Sequence, residues 1–343
     1  MLLLALLAAA ASPQQAVPRP GELKTFRDWI VGCDNGRACH ATSLMPEGAI
    51  ADSPLTMSIK RAPAAGALPA IRVHGGNGKA ARLVADGRKL GARLRAEDED
   101  WRVEDKGIAE TLATVRNART IRVEDGRGQP LGSISLAGAS AALLYIDEVQ
   151  KRLGTVTALA RPGPRPASAI PPPPALPRIA SAAAPGARGF RVGEDRIAAL
   201  RKQADCVPEQ EDWPGYGSEQ DVLDADRILI LLGCGAGAYN YNSIPYVARR
   251  RGAAIEIVLA RFDLSPSFGE GGDPPMLVNA GWDAKNGLLT SFAKGRGLGD
   301  CGVGDDYAWD GTRFRLVRQI AMGECRGSMG LYHDMAGGGD TVE

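Results

Sequence analysis

A glycine-rich stretch in the C-terminal half of the sequence has the spacing of a cofactor site. The apolar run 228–232 leads into residues 233–238, which fit the pattern G-x-G-x-x-A, and Glu256 follows. A glycine turn with an acidic residue roughly twenty positions later is typical of dinucleotide binding, provided that the turn opens a helix. Here residues 239–245 are poor helix formers and include Pro245. We therefore predict a glycine-rich turn beside a disulfide, and no cofactor.

A basic cluster and the aromatic residues before it are the candidates for ligand contacts. Arg249, Arg250 and Arg251 are consecutive, and guanidinium groups bind carboxylates and phosphates. We expect this cluster to lie in a solvated loop. Tyr239 and Tyr241 stand beside the glycine-rich stretch, where exposed rings would stack on a ligand, although such rings more often fill sheet cores. The other aromatic candidates are Trp213 and Tyr216.

The sequence contains no motif that identifies a catalytic or metal centre. The three histidines, His40, His74 and His333, are scattered, and neither G-x-S-x-G nor H-E-x-x-H occurs. The acidic residues around Cys301 miss the spacing of a calcium loop. We predict no metal. A Ser-His-Asp site assembled from distant residues leaves no pattern in a sequence, so the catalytic residues remain unknown.

Composition bounds the class of protein. The chain has 343 residues, of which 44% are hydrophobic and 24% charged, which excludes wholesale disorder, a collagen and a polytopic membrane protein. This length suits about two domains of ~150 residues. Lysine and arginine number 41 against 40 acidic residues, so the net charge gives no reason to expect a nucleic-acid partner.

The N-terminal residues predict export. An apolar run from Leu2 to Ala11 precedes small and polar residues, and we interpret residues 1–16 as a signal peptide. The run is too short to span a bilayer, which takes ~20 residues, and no later stretch is long enough. We therefore expect a periplasmic or secreted protein without a transmembrane segment in the mature chain.

The cysteines agree with an oxidising compartment. They are even in number, and a proline-rich segment separates the first two from the last four. If each part pairs its own cysteines, one disulfide is fixed, and the other four cysteines allow three connectivities, of which we favour the neighbouring one. In that order the pairs are Cys33–Cys39, Cys206–Cys234 and Cys301–Cys325.

The proline-rich segment, residues 161–188, divides the chain. Four consecutive prolines, Pro171 to Pro174, exclude helices and strand ladders, so we predict a linker. Before it, residues 22–158 predict a β-sandwich-like domain with a C-terminal helix at about 137–152. Its expected strands are Leu55–Lys60, Ile71–His74, Arg119–Val123 and Leu131–Leu136.

Residues 189–343 predict a second domain, which begins with a helix over Glu194–Gln203. Two similar hairpin signals follow, Asn286-Gly287 and Asp310-Gly311, each followed by a cysteine, and they indicate a β-meander. Its earlier apolar strands are Arg227–Leu232, Ala254–Ala260 and Met276–Ala280. The fold class is thus mainly β, with two antiparallel-sheet domains joined by a proline-rich linker.

Several short motifs resemble a family of exported bacterial proteins of unknown function, DUF1176. The motifs are Phe26-Arg27-Asp28-Trp29, Val31-Gly32-Cys33, Ser135–Leu143, Gly154–Leu159, Gly237-Ala238-Tyr239-Asn240, Gly295–Cys301 and Glu324-Cys325-Arg326-Gly327. The W-x-x-x-C opening of the first domain is also similar, less specifically, to the invasion-associated locus B family. These resemblances imply export to the envelope and supply no catalytic residue.

We interpret the chain as an exported envelope protein, most simply a non-catalytic one that binds another protein or a cell-wall component. A periplasmic hydrolase with its site in the cleft between the domains is the alternative, and a structural spacer is a third hypothesis. A pocket with converging polar groups and a perturbed histidine or carboxylate would favour the hydrolase.

Overall fold

A computed structural model of the chain describes residues 21–49, 55–76, 79, 81–184, 186–206, 217–266, 274–328, 333–334 and 341–342. The predicted signal peptide lies outside these residues. None of the helices in the described part of the chain has the length and apolar character needed to cross a bilayer. Strands dominate, and nearly all their pairings are antiparallel, which confirms the mainly β class.

In the described residues, ten strands and two α-helices form the N-terminal half. They are β1 (Lys24–Phe26), β2 (Trp29–Cys33), β3 (Cys39–Ser43), β4 (Thr56–Arg61), β5 (Ala70–His74), β6 (Ala81–Ala85), β7 (Arg88–Glu97), β8 (Asp100–Val103), α1 (Ile108–Asn117), β9 (Thr120–Asp125), β10 (Pro130–Ser135) and α2 (Ala139–Val149). The strands make one sheet in the order β1-β2-β3-β4-β5-β8-β7-β6-β9-β10.

Alternation along the strands gives this sheet one apolar face. Met57 and Ile59 of β4, with Ile71 and Val73 of β5, are fully buried against the two helices. The residues that alternate with these along each strand therefore point to the opposite face of the sheet, which we call the outer face. The helices contribute Leu112, Val115, Ala142, Leu143 and Ile146 to the same core. The helices thus cover one side of the sheet and leave the outer face to polar side chains.

The helix α2 confirms the predicted helix, with shorter bounds. It begins after Gly138, whose φ is +95° and where a Cβ atom would stand 1.7 Å from the carbonyl oxygen of Phe26, so only glycine fits. The helix α1 has no counterpart in the sequence prediction, because Thr111, Thr114 and Val115 give it the β-branched composition of a strand.

A buried carboxylate anchors the segment after α2. The pattern predicts that Asp147 lies off the apolar stripe, yet it is fully buried. Its carboxylate accepts the backbone N–H groups of Leu159 and Ala160, each at 2.7 Å. These bonds hold the returning chain against the helix, which explains why a charged residue occupies an inward position.

Where the structure describes it, the C-terminal half contains one α-helix and mostly antiparallel strands. They are β11 (Ile179–Ala180), α3 (Glu194–Gln203), β12 (Ser218–Val222), β13 (Arg227–Ala236), β14 (Tyr241–Arg251), β15 (Ala254–Leu259), β16 (Leu277–Val278), β17 (Gly281–Asp283), β18 (Leu288–Lys294), β19 (Gly302–Trp309), β20 (Phe314–Met322), β21 (His333–Asp334) and β22 (Thr341–Val342). One sheet has the order β12-β13-β14-β15 with β16 on β14, and the other runs β17-β18-β19-β20-β21. The second sheet is the predicted meander.

The apolar strand β13 lies between two cores, which is why its sequence is apolar without alternation. Ile228, Ile230 and Leu232 pack on the side of α3. Leu229 and Leu231 face the meander, whose contributions to that core include Leu289, Tyr307, Trp309 and Phe314. This half is therefore layered as a helix, a sheet and a second sheet.

The segment 161–188 contains Pro171–Pro174, whose side chains are exposed. Its later part is hydrogen-bonded to the C-terminal half. The strand β11 pairs in parallel with β22, and the N–H of Ala182 donates to the carbonyl oxygen of Trp309 at 2.7 Å. Ile170 and Ile179 are buried.

The structure forms the disulfides Cys33–Cys39, Cys206–Cys234 and Cys301–Cys325, the neighbouring pairing that the sequence favours. The first closes the hairpin of β2 and β3. The second fastens the chain after α3 to β13, and the third joins the two ends of the β19–β20 hairpin. Each disulfide thus links neighbouring elements of one half.

The two halves meet where residues 325–328, which we call the hook, lie against the N-terminal sheet. The guanidinium of Arg326 donates to Asp28 at 2.5 Å and to the carbonyl oxygens of Arg27 and Met45, both at 2.8 Å. Behind it, fully buried Asp300 accepts the N–H of Gly327 at 2.7 Å. Ile30, Leu44, Cys301 and Met322 form a small apolar cluster beside these polar contacts.

We expect Arg326→Ala to lower the free energy of unfolding by about 2–4 kcal/mol, because it removes three hydrogen bonds and leaves the Asp28 carboxylate without its cation. Urea denaturation followed by tryptophan fluorescence measures the change. Arg313→Ala is the control, since that guanidinium is 42% exposed and 3.6 Å from Asp310, and a pair of this kind contributes under about 1 kcal/mol. Equal losses in the two variants would contradict the assignment.

Candidate functional site

The predicted basic cluster lies on a strand, and the expectation of a solvated loop is wrong. Arg249, Arg250 and Arg251 are the last residues of β14, and β15 folds back to pair with them. All three guanidiniums have partners within the chain. These are Asp226 for Arg249 at 3.0 Å, the Phe190 ring for Arg250 at 4.5 Å, and Glu256 for Arg251 at 2.9 Å. Their role in binding stays a prediction.

The predicted tyrosines lie at the other end of the same strand. Tyr241 begins β14 and is 45% exposed, and the hydroxyl of Tyr239 donates to the carbonyl oxygen of Gly295 at 3.4 Å. Eight residues of extended chain separate Tyr241 from Arg249, about 26 Å at 3.3 Å per residue. The structure therefore does not bring the two groups together. Trp213 and Tyr216 lie outside the described residues.

The glycine-rich stretch ends a strand and opens no helix. Most of it belongs to β13, and Gly235 has a φ of +104° at a register shift between β13 and β14. The N–H of Gly237 donates to the carbonyl oxygen of Asn240 at 2.7 Å, which closes the turn into β14. The stretch is a hairpin turn beside the Cys206–Cys234 disulfide, as predicted.

The outer face of the N-terminal sheet carries a set of arginines that sequence reasoning missed. They are Arg72 on β5, Arg102 on β8, Arg95 and Arg93 on β7, Arg82 on β6 and Arg122 on β9, and we call them the arginine face. These five strands are consecutive neighbours in the sheet. Cationic side chains therefore extend across five strands, about 20 Å at 4.8 Å per strand.

Strand register brings the like charges close together. Arg102 stands directly opposite Arg72 on one side and Arg95 on the other, and Arg93 stands opposite Arg82. Like charges at such positions repel each other. Carboxylates offset part of this repulsion: Arg72 pairs with Glu97 at 2.7 Å, and Arg82 pairs with Glu124 at 3.1 Å. The further pairs are Arg102 with Glu97 and Asp105, and Arg122 with Glu124.

Two members of the arginine face keep their charge available. Among the ion pairs of the described residues, none involves Arg93 or Arg95, and both side chains are exposed. They line an open depression of about 690 Å³. Its other lining residues are Gly91, Arg102, Glu104, Asp105, Lys106, Gly107 and Glu110. This depression therefore presents two unpaired guanidiniums to solvent beside a third that is shared with carboxylates.

Beside the arginine face, three polar side chains form a hydrogen-bonded chain across β4, β5 and β8. The Oγ of Ser58 is 2.8 Å from Nε2 of His74, and Nδ1 of His74 is 2.6 Å from Oδ2 of Asp100. An ionised carboxylate only accepts, so Nδ1 carries the proton, and in the neutral ring Nε2 accepts the Ser58 hydroxyl. Ser58 is also the register partner of Arg72.

Burial lowers the pKa of His74 below its ordinary value of 6.5. Asp100 opposes this shift by attraction and hydrogen bonding, whereas the positive charges of Arg72 and Lys60 add to it. The imidazole is therefore neutral at pH 7 although it lies beside a carboxylate. A perturbed histidine is one of the features that the hydrolase hypothesis requires.

One small cavity lies at the junction between the halves. It has a volume of about 10 Å³, is lined by Ile30, His40, Thr42 and Met322 among others, and holds one water at most. The polar groups that converge lie farther along the outer face, on β4, β5 and β8, where Ser58 is the register partner of Thr42 of the cavity lining. A site in a cleft between the halves gains no support from this geometry.

The fold and these contacts define a disulfide-bonded β protein with a cationic face on its N-terminal sheet. The chain belongs to the DUF1176 family of proteins of unknown function, whose profile matches residues 23–335. It is 30% identical over 328 residues to the uncharacterized protein YpfG of Escherichia coli (strain K12), covering 88% of each chain. The crystal structure of invasion associated protein b from Bartonella henselae aligns with 38% of this chain and 99% of its own, at 18% identity and a TM-score of 0.30.

The motifs that carry the family resemblance meet at the junction. Asp28, Asp300 and Arg326 come from three separate motifs and are joined through the hook. Arg296, from the same motif as Asp300, pairs with its carboxylate at 2.5 Å. These residues therefore hold the two halves together, and the arginine face lies outside the motifs.

We expect the stability of the protein to fall as the pH drops below 6.5. Because the folded state lowers the pKa of His74, the unfolded chain binds the extra proton more readily, and this part of the stability is complete only above the unfolded pKa. Urea denaturation between pH 5 and 8 measures the slope. His74→Gln should flatten it. An identical slope in His74→Gln would contradict this account.

Proposed function

We propose that the protein is an exported binding protein whose arginine face recognises a linear acidic polysaccharide of the cell envelope. The observation that carries this proposal is the pair of exposed arginines, Arg93 and Arg95, which line the 690 Å³ depression without a carboxylate partner. A guanidinium forms paired hydrogen bonds with a carboxylate or phosphate, which makes arginine the residue suited to such ligands.

The geometry of the arginine face suits a repeating ligand. Arginines recur about 4.8 Å apart across neighbouring strands and about 6.6 Å apart along β7. The arginines lie on neighbouring strands, so a polymer that crosses several strands can engage several guanidiniums at once. Each contact is weak because it is exposed, and affinity comes from their number.

Export is part of this proposal and rests on the signal-like N-terminus and on the three disulfides, which are typical of oxidising compartments. The acidic polymers of an envelope would then be accessible to the outer face. The net charge of +1 gives little long-range attraction, so recognition depends on the local excess of guanidiniums.

We expect end-labelled alginate oligosaccharides to bind the full chain in fluorescence anisotropy titrations, with an affinity that falls as NaCl rises. The double variant R93A/R95A should lose roughly tenfold in affinity, since it removes two exposed charged contacts of up to about 1 kcal/mol each. The matched control is R250A/R251A, which removes the same charge from guanidiniums that already have partners in the chain.

The control also tests the predicted binding role of the β14 arginines. Loss of binding in R250A/R251A with none in R93A/R95A would overturn the arginine face and favour the β14 cluster. Equal binding of a neutral dextran oligomer would refute the proposal that the protein recognises the negative charge of its ligand. Tighter binding of single-stranded DNA than of alginate would show that the ligand is a nucleic acid and would overturn the polysaccharide proposal.

A further inference from the structure

The chain Ser58–His74–Asp100 has the connectivity of an activated nucleophile. A nucleophilic serine needs a base within about 2.6–3.2 Å and a third group that orients the base. Here Oγ to Nε2 is 2.8 Å and Nδ1 to the carboxylate is 2.6 Å. The carboxylate fixes the tautomer, so that the unprotonated nitrogen faces the hydroxyl.

Positive charge lies on the same side of the sheet as the serine hydroxyl. Lys60 follows Ser58 by two residues on β4, and Arg72 stands opposite Ser58 on β5, so all three point to the outer face. Both edges of β4 are paired, by β3 and β5. The backbone N–H groups of β4 are therefore engaged in the sheet, and the groups that can stabilise a developing oxyanion are the side-chain cations of Lys60 and Arg72.

We propose that Ser58 is the nucleophile of an acyl-transfer site, with His74 as its general base and Asp100 orienting the imidazole. The substrate class is an O-acyl ester carried by an acidic polysaccharide. That the substrate is acidic rests on the proposed function, in which the arginine face binds the polymer. The arginine face begins at Arg72, which is the register partner of Ser58. The nucleophile itself rests only on the geometry of the three side chains.

The step balances without a further reagent. The Ser58 hydroxyl gives its proton to Nε2 of His74 while Oγ bonds to the acyl carbon, and the carbonyl becomes an oxyanion. The carbon–oxygen bond to the sugar then breaks as His74 returns the proton to the leaving hydroxyl. Water, deprotonated by His74, cleaves the acyl-serine and restores Ser58, releasing a carboxylic acid.

Access to the hydroxyl controls the rate of this reaction. Ser58 is 1% exposed and His74 8%, whereas the side chain of Asp100 is 29% exposed. The described neighbour of Ser58 on β3 is Thr42, which is hydrogen-bonded to Ser328 of the hook at 3.0 Å. An ester must therefore approach from the side of β5 and β8, and local opening must uncover Oγ before each acylation.

An uncharged alkyl fluorophosphonate tests the nucleophile in the full chain. We expect a slow, stoichiometric adduct on Ser58, mapped by peptide mass spectrometry, with none in Ser58→Ala. Asp100→Asn should lower the labelling rate at least tenfold. In the unmodified chain the rate should rise with pH to a plateau as His74 becomes neutral, and a residue that only supports the fold would not produce this profile.

Ser133 provides the internal control. It is exposed on β10 of the same sheet, and no described histidine is bonded to it, so it should stay unlabelled. No adduct on Ser58 under conditions that label a reference serine esterase completely would overturn the proposal. Equal labelling of Ser58 and Ser133 would do the same, since it would show that His74 contributes nothing.

Acetate release then tests the substrate class. O-acetylated alginate should be hydrolysed at least tenfold faster than a neutral O-acetylated xylan, and R93A/R95A should abolish this preference. Labelling without polymer binding would refute the proposed function and the acidic substrate but keep the nucleophile. Polymer binding without labelling would refute the nucleophile and leave the proposed function standing.

Discussion

The contact between Asp28 and Arg326 holds segments that are far apart in the chain. Asp28 donates its N–H to the carbonyl oxygen of Ala137 and accepts the hydroxyl of Ser135, so it joins the ends of the N-terminal sheet. Its other carboxylate oxygen binds Arg326, which belongs to the C-terminal half. The hook that carries Arg326 is in turn fixed by the Cys301–Cys325 disulfide and by Asp300. Removal of any of these constraints would free the sheet edge and the junction together.

This junction also divides the outer face of the N-terminal sheet. Over β2 and β3 the face is covered, since Ile30 packs with Met322 and Thr42 bonds to the hook. The arginines stand over β5 to β9, where Arg93 and Arg95 are exposed to solvent. Side-by-side guanidiniums destabilise a sheet, and Glu97 and Glu124 relieve only part of the repulsion.

Patterns within one element were predictable from the sequence, and contacts between elements were not. Alternation identified strands such as β4 and β10, a three-and-four spacing identified α2, and paired turn residues identified the meander. The sequence analysis did not predict α1, because its β-branched residues are typical of a strand, and it did not predict β14, because Pro245 interrupts it.

The arginine face was not predicted because acidic residues near it in the sequence cancel its charge. Arg93 and Arg95 are nevertheless two residues apart, the spacing that places both on one face of a strand. Ser58, His74 and Asp100 come from three strands whose neighbourhood only the sheet order β4-β5-β8 creates.

The disulfides have a consequence for how the protein is made. Each joins a cysteine to the next one along the chain, over separations of 6, 28 and 24 residues. If the chain enters an oxidising compartment with its N-terminus first, every cysteine meets its correct partner before any wrong one has emerged. Random pairing of six thiols has fifteen outcomes, and wrong pairs must be reshuffled by thiol exchange, which takes minutes to hours without a catalyst. Vectorial entry would avoid that search, so a chain that matured in this way would require an oxidant and no isomerase.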